Sequence, residues 1–208
     1  MKRVACWGAA ALAVAACGSW WLASTQPEWW QAAQAPDAAV RAERIENAVV
    51  TELSAVRAEE APWTVALSEE DVNAWLEARL VKWLENRGER WPERVSPPRV
   101  VLLDGVMRAA VEIGGGGRVV VVEMKPRVDD GGLWLDVRGV WIGRLRVPVA
   151  AVRAAWPSGL GKFAGVLSGE RPVSPEAGMA VDGARRVRVL ALTPRPGRLE
   201  VQARTERR

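Results

Sequence analysis

Histidine and tyrosine are absent from the 208 residues, phenylalanine occurs once, and the two cysteines, Cys6 and Cys17, both lie at the front of the chain. Without histidine there is no imidazole catalysis, no hydrolase triad of the usual kind and no histidine metal site. With both cysteines ahead of residue 18, no disulfide framework can hold the rest of the chain. Catalysis would have to rest on carboxylates, lysine, serine or arginine, and no serine sits in a Gly-x-Ser-x-Gly elbow. The glycine run 114–117 lacks the lysine with serine or threonine, and the following helix, that a phosphate loop requires. It reads as a hairpin connection.

What the chain has in plenty is tryptophan, with twelve residues, and an apolar start. After Met1, Lys2 and Arg3, residues 4–23 carry no charge. At about 1.5 Å rise per residue such a run spans roughly 30 Å, the hydrocarbon thickness of a bilayer. The two cations ahead of it predict a cytoplasmic N-terminus and export of everything that follows. Trp20, Trp21, Trp29 and Trp30 cluster around the exit point, where indole rings favour the interface. Two other readings stay open. Val14-Ala15-Ala16-Cys17 resembles the lipobox of bacterial lipoproteins, which would make Cys17 the lipidated first residue, and the same composition also describes a cleavable secretory signal. The first two readings leave a domain tethered to the outer side of the bacterial cell membrane, with residues 1–23 as anchor or lipoprotein-type signal, 24–36 as linker and 37–208 as the extracytoplasmic domain.

Charge is divided along the chain. Without Lys2 and Arg3 the 29 basic residues fall to 27 against 25 acidic; residues 24–96 hold 8 basic and 14 acidic groups, and residues 97–208 hold 19 and 11. Such asymmetry suits either attraction to anionic head groups or complementary packing of two halves of one domain.

Helical periodicity comes first. Ile45, Val49, Leu53 and Val56 recur at helical spacing over 37–60, with Asp37 able to cap the start after Pro36. A second helix is predicted over 68–86: Ser68 with Asp71 three residues on makes a capping-box-like start, Leu67 can staple onto Val72, and Gly88 provides a left-handed stop. Val72, Trp75, Leu76, Leu80, Trp83 and Leu84 draw one apolar stripe along it. From Arg99 onward the period becomes two. Strands are expected over 99–103, 106–113, 118–125 and 133–142, with turns at Asp104-Gly105, 114–117 and Asp129-Asp130-Gly131-Gly132. In the last of these Leu133, Leu135, Val137 and Trp141 are expected on one face and Trp134, Asp136 and Arg138 on the other, with Gly139 marking a bulge or bend. Residues 148–169 suggest helical pieces broken at Pro157, and 185–193 with 198–205 a final hairpin. The expected fold class is α+β: an N-terminal membrane anchor and two amphipathic helices packed on an antiparallel β-meander of about six strands.

The carboxylate groups Asp129-Asp130 and Glu69-Glu70-Asp71 are the visible candidates for acid–base work or calcium ligation. Their settings favour structure instead: aspartates suit a Gly-rich turn, and acids suit the first turn of a helix. Scattered arginines such as Arg185, Arg186 and Arg188 do not make a nucleic-acid footprint in an exported domain.

The segment Leu67-Ser68-Glu69-Glu70-Asp71-Val72-Asn73-Ala74-Trp75-Leu76, the strands around Asp104-Gly105 and Asp130-Gly131-Gly132-Leu133-Trp134-Leu135, and Val140-Trp141-Ile142-Gly143-Arg144-Leu145-Arg146-Val147-Pro148 together resemble the YpmS-type family of single-pass bacterial envelope proteins. The likeness covers residues 63–148, with Val72 where that motif usually has leucine. It implies an extracytoplasmic domain similar in layout to families thought to cradle lipid in a curved sheet beside a long helix, and it brings no catalytic residues. The expectation is therefore a non-enzymatic binding domain for lipid or another apolar envelope ligand, seated in a groove formed by Val72, Trp75, Leu76, Leu80 and Trp83 of the second helix and by Leu133, Leu135, Val137 and Trp141 of the sheet. No metal, cofactor or nucleic-acid partner is expected. The alternative is a structural or assembly factor that holds an envelope protein through strand edges or the helix 37–60.

Overall fold

A helix over residues 16–24 (α1) opens the computed structural model, which describes residues 16–31, 37–55, 61–130, 132–151, 171–174, 176–181 and 185–207. A 3-10 turn at Glu28–Gln31 follows, then α2 (Ala38–Ser54), β1 (Trp63–Ser68), α3 (Glu69–Ala78) and α4 (Leu80–Asn86). The strands after that are β2 (Arg99–Leu102), β3 (Met107–Ile113), β4 (Arg118–Asp129), β5 (Gly132–Ile142), β6 (Leu145–Val147), β7 (Gly178–Ala180), β8 (Arg185–Arg195) and β9 (Arg198–Arg207). They form two antiparallel sheets, one of order β2-β3-β4-β5-β6 and one of order β1-β9-β8-β7. The class is α+β as expected.

The meander prediction holds for the five-stranded sheet and fails for the rest. β1 was not foreseen: Trp63–Ser68 pairs with β9 over its whole length, from Trp63 opposite Ala203 to Ser68 opposite Arg198. The final hairpin β8–β9 therefore finds its neighbours in β1 and β7 and builds a second sheet. The two sheets are joined at their turns, where Gly105 N–H donates to the Pro194 carbonyl (3.0 Å) and Gly197 N–H to that of Leu102 (3.3 Å). Two strands also run through prolines at which they were expected to stop. β3 ends its pairing with β4 at Met124, and β7 ends its pairing with β8 at Arg188, so Pro126 and Pro194 each lie where the strand has a partner on one side only. A missing N–H costs no ladder bond there.

β4 is the central strand. Val119 and Val121 are buried on one of its faces and Val122 and Met124 on the other, so the run Val-Val-Val-Val reads as a strand covered above and below.

The helices pack at one edge of this arrangement. Ala38 and Ala42 of α2 and Ala74 of α3 are buried, and their small side chains let the two helices approach closely. Ile45, Val49 and Leu53 continue the line of Ala38 and Ala42 and are half-buried. Arg41 ties the pair together through Asp37 (2.9 Å) and Glu70 (2.6 Å), and Glu46 receives both the Trp75 indole N–H (3.1 Å) and Arg79 (3.4 Å). The second helix starts as its sequence predicts, with Ser68 Oγ accepting from Asp71 N–H at 3.1 Å. It does not run unbroken to residue 86: Arg79 leaves helical geometry (φ −121°) between α3 and α4. No proline or glycine announces that break in the sequence. The helix expected over 37–60 is α2, which ends at Ser54; residues 56–60 lie outside the described residues, as do most of the pieces expected over 148–169.

α3 also closes the free edge of β2. Asn73 donates its amide N–H to the Val100 carbonyl (2.8 Å) and accepts from Val100 N–H (2.7 Å), and one turn earlier Glu69 accepts from Leu102 N–H (2.7 Å). Two side chains four residues apart on a helix thus replace a neighbouring strand. Glu69 is thereby engaged in structure, as its place in a first turn suggested.

Asn73→Leu leaves both polar groups of Val100 without that partner and is expected to destabilise the domain by about 1–3 kcal/mol, with Asn73→Asp intermediate because it keeps the acceptor, as read by chemical denaturation. The hydrogen bond from Arg41, and then its charge, hold the Asp37 carboxyl below the ordinary carboxylate range. Its support for α2 is therefore complete above that range and is lost as pH falls through the lowered value. Acidification is expected to lower the protection of the Arg41 amide, which donates to the Asp37 carbonyl at 3.0 Å, relative to its intrinsic exchange rate at the same pH, and Asp37→Asn should show the lower protection already at neutral pH.

Candidate functional site

β5 decides which of the expected groove residues meet. In its pairing with β4, Met124 lies opposite Val137 and Glu123 opposite Gly139, so Arg138 is an extra residue in a β-bulge. The bulge falls where Gly139 signalled it. Its effect on side-chain parity is large: one extra residue exchanges the two faces for everything that follows. Leu133, Leu135 and Val137 share their face with Val140 and Ile142, opposite Val128, Pro126, Met124, Val122 and Val120. Trp141, opposite Val121, stands on the other face. The expectation that Trp141 lines up with Leu133, Leu135 and Val137 is corrected accordingly.

The helix residues lie elsewhere again. α3 packs against α2, β2 and β1, and β2 is separated from β5 by β3 and β4. At about 4.8 Å per strand this is roughly 14 Å. Val72, Trp75, Leu76 and Leu80 belong to the helical layer; Trp75 meets the Trp83 ring edge-on at 6.2 Å, and Trp83 is 43% exposed beneath the Arg87 guanidinium. The nine expected residues are thus divided among the helical layer, one face of the five-stranded sheet and the opposite face. No single groove unites them.

Each sheet face has its own setting. On the Leu135 and Val137 side, Val122, Met124 and Val140 form a buried cluster with half-buried Met107, Ala109, Val120 and Val149 around it. On the Trp141 side, Ala110, Val119 and Val121 are covered by Trp29, Trp30 and Trp141. Trp29 and Trp30, expected at a membrane interface, pack on the sheet and meet each other edge-to-face at 6.4 Å.

The segment expected to be a linker is therefore docked. α1 ends against the β5–β6 turn: Arg144 N–H donates to the Leu22 carbonyl (2.9 Å), and Ser24 and Thr25 hydroxyls donate to the carbonyls of Trp20 and Trp21 (2.8 Å each). These bonds satisfy the carbonyls that a helix end leaves free. Gly143, at φ +59°, donates its N–H to Val119 O (2.7 Å) and lies so close to α1 that a Cβ would stand 2.6–2.7 Å from the carbonyl oxygens of Leu22, Ala23 and Thr25. Gln26 donates to Gly117 O (3.1 Å), and Glu28 pairs with Arg144 (2.8 Å). That pair joins the acidic first half of the chain to the basic second half, whereas Arg41–Glu70, Arg79–Glu46, Arg108–Glu123 and Arg195–Asp104 each stay within one half. Only glycine fits at position 143, a requirement that hydrophobic periodicity does not mark.

Before this clasp, Trp20 and Trp21 stand 67% and 64% exposed, Arg118 lies over the Trp20 ring at 5.5 Å, and Cys17 is exposed as a free thiol. Among the described residues no helix is long and apolar enough to cross a membrane, and residues 1–15 lie outside them.

The candidate carboxylates are separately engaged. Asp129 meets Arg127 and accepts from the Trp134 indole N–H (2.9 Å), while Asp130 pairs with Arg188 at 3.3 Å. Among the described residues no group of three or more acids or cysteines is placed to hold a metal ion.

A cavity of about 260 Å³ opens at the β5–β6 edge, lined by Arg138, Gly139, Arg146, Val147, Pro148 and Val149. The Trp141 ring covers Gly139 so closely that a Cβ there would stand 2.5 Å from it, and the guanidinium groups of Arg108 and Arg146 lie 5.4 and 5.7 Å from that ring.

Gly143→Val is expected to release residues 16–30 from the sheet while the two sheets persist. Limited proteolysis between residues 22 and 30 should accelerate, and the far-ultraviolet spectrum should keep its strand content. Neither the known family models nor the curated proteins include one that matches this chain.

Proposed function

We propose that this chain is a membrane-tethered extracytoplasmic domain of the bacterial cell envelope that binds lipid or another apolar envelope ligand without catalysis. The observation that carries the reading is the clasp between the β5–β6 turn and residues 22–28, at the end of the uncharged run 4–23. A body bonded at that point stands immediately beside whatever surface the run enters. Exposed Trp20 and Trp21, ahead of the clasp, have the amphipathic rings that favour a lipid–water boundary.

The half-buried apolar face around Leu135, Val137, Met107 and Val120 supplies the surface on which a hydrocarbon chain could lie. This replaces the helix–sheet groove as the preferred ligand surface. The resemblance to YpmS-type proteins agrees with the same setting. Both tethers, an uncleaved anchor and a lipid on Cys17, leave the clasp intact, because its bonds to the turn begin at Leu22.

The full chain is expected to fractionate with membranes and, after gentle extraction, to carry lipid in native mass spectrometry. A chain that stays soluble, or that is extracted free of lipid, would overturn the reading. Cys17→Ser separates the two tethers: membrane retention marks an uncleaved anchor, and release marks a lipoprotein.

A further inference from the structure

We infer that the cavity at the β5–β6 edge is a site for the head group of an anionic phospholipid, with the phosphate held by Arg138 and Arg146 and the adjoining methylenes resting on Val147, Pro148 and Val149. This rests on the reading that the domain binds lipid, and it names the chemical class.

Two cations converge on one small cavity. Two neighbouring guanidinium groups attract an anion to the cavity they line. One carboxylate, Asp136, pairs with Arg138, so the two arginines together keep a net positive charge. Asp136 stands 3.8 Å from Arg138 and is shared with Arg127 at 3.5 Å, and Glu123, the cross-strand neighbour of Gly139, is taken by Arg108 at 2.8 Å. Among the described residues no carboxylate lies within ion-pair distance of Arg146, whose neighbour is the Trp141 ring. Guanidinium groups present a planar fork of donors that matches phosphate oxygens in pairs.

The bulge accounts for the convergence. Arg138 is the residue without a partner in the β4 register, and bulges re-aim such side chains. It lines the cavity together with Arg146 of the neighbouring strand. Gly139 leaves the floor free of a side chain of its own.

Continuity with apolar surface distinguishes an amphiphile from a simple anion. Val149 lines the cavity and also packs against the cluster that includes Leu135 and Val137, so it links the cavity wall to that apolar sheet face, while Arg146 lies on the Trp141 side of the edge. Its volume of about 260 Å³ lies just under that of sites that enclose whole drug-sized ligands, which fits a head group with the chains outside.

The test uses the full chain in non-ionic detergent, titrated in native mass spectrometry with short-chain phosphatidylglycerol, with phosphatidylcholine of the same acyl length and with inorganic phosphate. Wild type should prefer phosphatidylglycerol. Arg138→Gln with Arg146→Gln should lower that affinity about tenfold or more and leave phosphatidylcholine nearly unchanged, and Arg138→Lys with Arg146→Lys should keep part of the preference. Equal binding of the two lipids by wild type, or an undiminished preference in the double glutamine variant, would overturn the head-group site while leaving lipid binding standing. Inorganic phosphate that binds as tightly as phosphatidylglycerol would overturn the amphiphile. Failure of wild type to bind either lipid would remove the lipid-binding reading itself.

Discussion

A strand that is apolar on both sides must be covered on both sides, and β4 imposes that requirement on the whole five-stranded sheet. Its Val119 and Val121 need a lid on one face, and Val122 and Met124 need neighbours on the other. Leaving either pair in water would forfeit roughly 1.5–3 kcal/mol per valine or methionine side chain. The lid on the first face is the pair Trp29 and Trp30, which is why the stretch after α1 is part of the domain and not a tether of indifferent length. Once those indoles are seated, Gly143 and Arg144 are in reach of the end of α1, and the carbonyls of that helix find their donors.

Much of this was legible. Alternation of apolar residues marked β2 to β5 within a few residues, Gly139 marked the bulge, and Ser68 marked the start of α3. The sequence was silent where the answer depends on what lies opposite. Trp63–Ser68 alternates plainly, yet only pairing with β9 makes it a strand, and its last residue doubles as the cap of α3. Pro126 and Pro194 looked like stops because nothing local reveals that one side of each strand is unpaired there. Arg79 interrupts a helix in which no residue type predicts an interruption.

The site suffered most from this dependence. Periodicity alone would set the helix stripe facing the strand stripe, but topology puts two strands between them and a single inserted residue turns Trp141 to the far face. Period-two reasoning is exact only until the first bulge. Asn73 and Glu69 offer the converse case: they stand in the motif that prompted the family resemblance, and their hydrogen bonds to Val100 and Leu102 give that motif a structural explanation.

The close fit of Gly143 among three carbonyl oxygens has a mechanical meaning. A helix seated so tightly in a turn has no swivel: twisting or tilting α1 drags the strands along as one lever. Every copy of the protein must then present the same flank to its surroundings.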